Sequence, residues 1–269
     1  MSEPASDDLP ALHWVGAMGL ATTVEDGFTR GTAVVVPAML APGTDRLRVG
    51  VLATLVDVVG GTPPTGALNP TVDLRVQLVG PGPSSGPIRL ECRPLRQGRT
   101  LYVAEVPVFA DGCDSPFAVG TVTFMSRRIA DRPGWDGGTR FDGTVRALPP
   151  GTFDDLVGAT RGDDGVARLP FNPLVGNGFT GTIQGGAQAM FAELATEWAL
   201  ADLGHPAGTQ AVDDLDIRYL DRLASGTMAA APDLWPAADG GFVARVALVD
   251  DADADRVVSF VRLRTRPAR

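Results

Sequence analysis

Two apolar segments that each carry one acid dominate the pattern of hydrophobic and polar positions. Residues 184–200 contain Ala, Met, Glu, Leu and Trp but no Pro, which predicts a helix that begins at Gly185-Gly186. Residues 49–59 are rich in β-branched side chains, which also suit a buried strand. We predict a helix there because this segment corresponds to 184–200, and Gly60-Gly61 would end it.

The two segments indicate a duplication. In both, the acid follows a polar residue by nine positions, Asp57 after Arg48 and Glu193 after Gln184, and the acids lie 136 residues apart. Two shorter runs repeat in the same order, residues 72–76 with 215–219 and residues 103–106 with 243–246. Because three ordered matches have similar offsets, we predict two copies of one domain.

Strand predictions follow from alternating apolar and polar residues, a pattern typical of a sheet with one buried face. In the first half they are a hairpin of residues 20–24 and 31–36 turning at 25–27, then 72–78, 88–108 with a turn at 97–99, and 118–125. In the second half they are a hairpin within 157–169, then 214–220, 226–249 with a turn near 239–241, and 257–263.

The join between the copies is predicted where hydrophobic periodicity fades. Arg, Gly, Asp and Pro dominate residues 126–151. We therefore expect three parts, listed by residue: an N-terminal domain of 1–130, a linker of 131–150 and a C-terminal domain of 151–269.

Composition narrows the classes of function. A net charge of −9 and a pI near 4.7 argue against a nucleic-acid partner. No segment approaches the ~18 consecutive apolar residues of a membrane helix, and the acidic N-terminus is unlike a secretory signal. Cys92 and Cys113 form no CxxC or Cys/His cluster, and the histidines are His13 and His205, so no metal site is expected. We expect a cytoplasmic protein with no membrane partner.

One long helix across an antiparallel sheet, with a Gly pair at its start and an acid inside it, resembles the hotdog fold. Gln184-Gly185-Gly186 followed by Glu193 resembles the acyl-CoA thioesterases of the phenylacetate-pathway type and the related 4-hydroxybenzoyl-CoA thioesterases. The first half departs from their pattern, since Arg48-Val49-Gly50 replaces His-Gly-Gly, although Asp57 keeps its place.

This resemblance covers nearly the whole chain and implies an α+β protein of two tandem hotdog domains. Each domain would be a long central helix wrapped by an antiparallel sheet, and the two would pack as an intrachain pseudo-dimer. Association of such chains into a homo-oligomer is left open by the sequence.

The resemblance also implies where the active site lies. In single-domain relatives two copies pair, one supplying the helix N-terminus and the other the carboxylate. One composite site would then combine Gln184, Gly185 and Gly186 with Asp57. The other would combine Val49 and Gly50 with Glu193, with Arg48 as its only polar partner. We predict that the first site works and the second is degenerate. Four further candidates for substrate contacts are Asn177, Thr54, Arg48 and Arg99.

These residue types suit thioester hydrolysis. Unpaired N–H groups at a helix start can stabilise the negative charge that develops on the carbonyl oxygen, and glycines let the acyl group approach the backbone. A carboxylate in an apolar wall has a raised pKa and can act as a base toward water or as a nucleophile. The predicted function is hydrolysis of a small or medium acyl, or an aryl, thioester of coenzyme A, with no cofactor besides the coenzyme A of the substrate.

Other interpretations remain at this point. The chain could be a non-catalytic acyl-CoA or acyl-carrier-binding protein. A hydratase of the same fold is disfavoured, since it would pair an Asp with a nearby His. Asp57 could instead bond a loop N–H, Glu193 could lie on the surface, and the Gly pair could serve only the packing of helix and sheet.

Overall fold

The computed structural model describes residues 14–25, 28–61, 70–125, 143, 151–177 and 181–268. Its α-helices are α1 (Val49–Gly60), α2 (Phe153–Val157) and α3 (Gly185–Asp202). The strands of the first half are β1 (Ala21–Glu25), β2 (Phe28–Val35), β3 (Thr71–Leu78), β4 (Gly86–Glu91), β5 (Arg93–Gln97), β6 (Leu101–Ala110) and β7 (Ala118–Met125). Those of the second half are β8 (Thr160–Arg161), β9 (Ala167–Pro170), β10 (Gly176–Asn177), β11 (Thr182–Ile183), β12 (Gln210–Tyr219), β13 (Thr227–Ala230), β14 (Asp233–Pro236), β15 (Phe242–Asp250) and β16 (Asp253–Pro267).

One antiparallel sheet of 14 strands runs through both halves. Its order is β1-β2-β4-β6-β7-β3-β12-β16-β15-β13-β9-β8, with β5 beside β6 and β14 beside β15. The halves meet where β3 pairs with β12, Leu74 opposite Ile217. Outward from this pair, each strand on one side has its counterpart in chain order on the other. That symmetry supports the duplication predicted from the sequence.

Helices α1 and α3 pack against each other at glycines. A β-carbon on Gly50 would lie 2.5 Å from Met190 Cα, and one on Gly186 would lie 2.7 Å from Thr54 Cα. Gly186 follows Gly50, and Met190 follows Thr54, by the same 136 residues that separate the acids. The crossing is therefore symmetric, and both glycines are needed for the close approach of the helices.

The predicted helix at residues 49–59 is confirmed in spite of its β-branched composition. Every residue of α1 except Asp57 and Val58 is buried, because the helix lies between α3 and the strands of the first half. A helix that is apolar on all sides is stable only when it is enclosed in this way, and packing then outweighs the weak helix propensity of valine.

The predicted strands are present, but several of their bounds differ. The runs before the turns at 97–99 and 239–241 are each divided into two strands, β4 with β5 and β13 with β14. Strands β2, β12 and β16 begin before the predicted residues 31, 214 and 257. The predicted start of the second hairpin at Val157 is wrong. Val157 ends α2, whose start is fixed by a capping box of Thr152 and Asp155, and the hairpin begins at β8. The turn at 26–27 and, apart from Gly143, the linker of 131–150 lie outside the described residues. No helix in the described ranges is long and apolar enough to cross a membrane.

Candidate functional site

Asp57 lies near the C-terminal end of α1, where its carboxylate faces the start of β3. Its Oδ1 accepts a hydrogen bond of 2.6 Å from the Thr71 hydroxyl. Burial raises the pKa of Asp57 to about 6, and the hydrogen bond from Thr71 opposes that rise. A carboxylate with this pKa is ionised at neutral pH and is a stronger base than an ordinary aspartate.

Gln184 caps the start of α3 and also approaches Asp57. Its Oε1 accepts a hydrogen bond of 3.0 Å from the N–H of Ala187, which fixes the orientation of the side-chain amide. Its Nε2 then lies 3.5 Å from Asp57 Oδ2, at the long end for a hydrogen bond. The structure thus brings together two residues that are 127 positions apart in the chain.

The start of α3 also presents the backbone N–H groups of Gly185 and Gly186. The first N–H groups of a helix have no partner within it, and Gln184 satisfies only that of Ala187. Among the described residues, none accepts a hydrogen bond from the N–H of Gly185 or Gly186. These donors and the positive end of the helix dipole form a setting suited to a carbonyl oxygen that gains negative charge.

The second predicted site is arranged differently, because its own acid occupies the helix start. Glu193 Oε2 accepts a hydrogen bond of 2.7 Å from the N–H of Gly50, the residue that corresponds to Gly186. Burial raises the pKa of Glu193 to about 7, although the charge of Arg48 lowers it. The donor that a substrate would use in this half is already bonded.

Arg48 is buried at the second site, beside Glu193. Only 1% of its side chain is exposed, and its guanidinium contacts three carboxylates. Nε lies 3.0 Å from Asp154 Oδ1, and Nη1 pairs with Glu197 and lies 3.5 Å from Glu193 Oε1. Burial by itself would lower the pKa of Arg48, but the charges of Glu193, Glu197 and Asp154 together raise it, so the side chain stays charged.

The length of the acid explains why one helix start is bonded and the other is not. Glu193 has one methylene more than Asp57 and reaches across to the facing helix. Asp57 is shorter, and its carboxylate is held by Thr71 instead. The strands and helices of the two halves correspond, and this difference leaves the α3 donors without an acceptor among the described residues.

Of the other predicted contact residues, Thr54 packs against Gly186 at the site, and Arg99 lies apart from it. Thr54 is fully buried between the helices, accepts a hydrogen bond of 2.9 Å from Trp14 Nε1 and donates one of 3.0 Å to the Gly50 carbonyl. Arg99 is exposed at the turn between β5 and β6. Asn177 pairs with Thr182 through its backbone in β10, and its side chain is outside the described part of the chain.

Two residues of the site were missed by the sequence analysis. Thr71 opens β3, and nothing in its surroundings marks it as a partner of Asp57. Tyr219, at the end of β12, lies against the start of α3, since a β-carbon on Gly185 would lie 2.8 Å from its hydroxyl oxygen. In the aligned repeats Tyr219 stands where the first half has Val76, which was the only signal for it.

A surface cleft of about 400 Å³ lies elsewhere. It is lined by the loop of residues 37–45 and by Thr152, and none of the candidate residues borders it. Residues 62–69 and 178–180, which follow α1 and precede α3, are outside the described ranges. Within the described ranges, no group of three or more His, Cys, Asp and Glu residues is arranged to hold a metal ion.

Comparison with solved structures identifies the architecture. A putative thioesterase II from Thermobifida fusca YX is 19% identical and superposes with a TM-score of 0.61, covering 97% of this chain and 99% of its own. A protein of unknown function with a hot dog fold from Alicyclobacillus acidocaldarius is 12% identical, with a TM-score of 0.62 and coverage of 95% and 98%. The chain has the hotdog fold.

Two further comparisons concern the kind of hotdog protein. The tesB protein of Mycobacterium avium subspecies paratuberculosis is 16% identical, with a TM-score of 0.63 and coverage of 94% of this chain and 98% of its own. Residues 50–125 match the family model described as acyl-CoA thioesterase N-terminal domain. No curated protein sequence matches the chain. None of these relatives is described as a phenylacetate-pathway or 4-hydroxybenzoyl-CoA enzyme, so that narrower assignment stays a prediction.

Proposed function

We propose that the protein is an acyl-CoA thioesterase whose working site joins Asp57 to the start of α3. The observation that carries this proposal is the approach of a partly exposed carboxylate, with its pKa raised to about 6, to a helix start with two N–H groups that no described residue accepts from. The match of residues 50–125 to an acyl-CoA thioesterase domain supports it, because that segment includes both Asp57 and Thr71. We also propose that the two halves act as an intrachain pseudo-dimer with one working site.

In the proposed reaction the thioester carbonyl oxygen accepts hydrogen bonds from the N–H groups of Gly185 and Gly186. Asp57 removes a proton from a water molecule, whose oxygen attacks the carbonyl carbon. The negative charge that forms on the carbonyl oxygen is stabilised by the helix start. The C–S bond then breaks, and coenzyme A leaves as a thiolate that takes up the proton held by Asp57, which regenerates the base, while the acyl group leaves as a carboxylic acid.

We assign Asp57 the role of general base and not of nucleophile. Its Oδ1 accepts a short hydrogen bond from the Thr71 hydroxyl, and its Oδ2 lies 3.5 Å from Gln184 Nε2. The bond to Thr71 restricts rotation of the carboxylate toward the carbonyl carbon. A carboxylate oxygen has two lone pairs, so each oxygen can accept a proton from water beside its contact with Thr71 or Gln184.

The direct test is release of free thiol, followed with a chromogenic thiol reagent, from short, medium and long straight-chain acyl-CoAs and from benzoyl-CoA. We expect turnover with at least one of them, and the preferred acyl group would define the substrate class. Binding of acyl-CoA without turnover on any of these compounds would contradict the proposal and indicate the acyl-CoA-binding alternative.

The pH dependence of turnover should follow the ionisation of Asp57. Because the base must be charged, kcat/KM is expected to rise with pH through about 6 and to level off above it. The hydrogen bond from Thr71 stabilises the charged form, so its removal in Thr71→Val raises the pKa of Asp57. We expect the acidic limb of the profile to move to higher pH in this variant.

Thr121→Val, in which a threonine on the neighbouring strand β7 is changed, serves as the matched control and should leave the limb in place. An acidic limb at the same pH in wild type and Thr71→Val would contradict the assignment of Asp57 as the titrating base.

A further inference from the structure

The hydroxyl of Tyr219 is buried and has no hydrogen-bond partner among the described residues. A buried polar group without a partner loses its hydrogen bonds to water and gains none in return, so such groups are uncommon in native proteins. The other tyrosine of the chain, Tyr102, is also buried, but its hydroxyl lies 3.3 Å from Cys92 Sγ. The unpaired hydroxyl therefore calls for an explanation that is particular to its location.

Tyr219 lies at the point where the elements of the candidate site converge. Its neighbour Arg218 pairs with Asp73 of β3, which places Tyr219 beside the end of β3 that carries Thr71. Side chains alternate along a strand, so Tyr219 shares the inner face with the buried Leu215 and Ile217. Its hydroxyl end rests on Gly185, the first residue of α3.

The hydroxyl is suited to donate a hydrogen bond, because it stays protonated. Burial, together with the nearby charge of Asp57, raises the pKa of Tyr219 well above its ordinary value, so the phenol is neutral over the whole working pH range. Asp57 and Tyr219 are close enough for this electrostatic effect, yet no hydrogen bond joins them. The donor is thus held next to the base without being consumed by it.

We propose that the Tyr219 hydroxyl is a third donor of the candidate site and binds the carbonyl oxygen of the acyl group together with the N–H groups of Gly185 and Gly186. It lies on the Gly185 side of the site, where the unused N–H groups are, while the Thr71 side is occupied by Asp57. This arrangement explains why position 185 is a glycine, because any side chain there would collide with the phenol. The inference rests on the proposed function for the identity of the ligand as an acyl thioester.

Two pairs of coenzyme A thioethers test the contact without any turnover. 2-Oxoheptyl-CoA and heptyl-CoA differ only in a ketone, as do phenacyl-CoA and phenethyl-CoA. Wild type should bind the ketone of at least one pair more tightly. Tyr219→Phe keeps the ring against Gly185 and should lose about fivefold in ketone affinity, the value of one neutral hydrogen bond, with little change for the thioether that lacks the ketone. The matched control Tyr102→Phe should bind all four compounds as wild type does.

Two further measurements separate a ligand contact from a structural role. Tyr219→Phe should not lower the thermal midpoint, because the hydroxyl that it removes bonds to none of the described residues. On an acyl-CoA that wild type hydrolyses, kcat should fall about 10²-fold, as for loss of one oxyanion donor, with a smaller change in KM.

The assignment would be overturned if wild type bound each ketone and its ketone-free partner with equal affinity. It would also be overturned if Tyr219→Phe lost the same affinity for both members of a pair. A lowered thermal midpoint in Tyr219→Phe would do the same, since it would show a structural bond. Absence of turnover by wild type would count against the proposed function alone. The comparison of each ketone with its ketone-free partner measures binding and does not depend on hydrolysis.

Discussion

Replacing Asp57 with Asn is expected to lower kcat about 10³-fold and to leave the protein folded. The loss lies within the range of roughly 10²–10⁴ that a general base contributes. The amide oxygen of Asn can still accept the hydrogen bond from Thr71, and the neutral side chain avoids the burial cost that raises the pKa of Asp57. Thiol release at pH 8 measures the loss of kcat, and the thermal midpoint shows whether the variant stays folded.

The corresponding change in the other half is the matched control. Glu193→Gln keeps an oxygen that can accept the hydrogen bond from Gly50, so we expect it to lose far less activity than Asp57→Asn. Equal losses in the two variants would contradict a single working site. They would mean that the helix start at Gly50 also takes part in turnover.

Asp57→Glu distinguishes the base from the open helix start. This variant keeps a carboxylate but adds the methylene that lets Glu193 reach the N–H of Gly50. We expect the longer acid to bond Gly186 in the same way and to reduce turnover by about 10²-fold, because the donors for the carbonyl oxygen would be occupied. Full activity of Asp57→Glu would show that acid length does not decide which site is open.

Replacing Arg48 with Met is expected to lower the free energy of unfolding by about 3–5 kcal/mol, the usual cost of removing one partner from a buried ion pair. The guanidinium is the cation that faces Glu193, Glu197 and Asp154. Without it, these carboxylates would be left in an environment that disfavours their charge. Urea denaturation at pH 8 measures the loss.

The loss should be smaller at pH 5 than at pH 8. Burial already raises the pKa of both Glu193 and Glu197, and removal of Arg48 raises it further. The folded variant then holds protons that the unfolded chain releases above its ordinary carboxyl pKa. Because the folded state binds more protons, stability falls as the pH rises through this interval.

An exposed ion pair provides the control for Arg48→Met. Arg75 pairs with Asp214 across the junction of the halves, and 52% of its side chain is exposed. Arg75→Met should cost at most about 1 kcal/mol. A similar cost for the two variants, or a deficit in Arg48→Met that does not depend on pH, would contradict the account of Arg48 as a buried counter-ion.

Much of the architecture was predictable because it depends on local pattern and on repetition. Alternation along residues 72–78 predicted β3, whose Leu74 and Val76 are buried while Arg75 is exposed. The helix α1 was predictable only through its counterpart α3, since its own valines favour a strand. Helix α2 was missed because a five-residue segment has too little periodicity to distinguish it from a strand.

The sequence by itself determined which two acids and which two helix starts can form a site. The nine-residue spacing and the 136-residue offset place each acid and each helix start at equivalent positions of two equivalent helices. Only the tertiary structure decided what each acid touches. Glu193 closes its helix start with Arg48 beside it, whereas Asp57 is held by Thr71 and leaves the start of α3 open, next to the unpaired Tyr219 hydroxyl. These contacts join residues from different elements, some of them over 100 positions apart. They depend on the reach of single side chains across the packed helices, a property that no local pattern encodes.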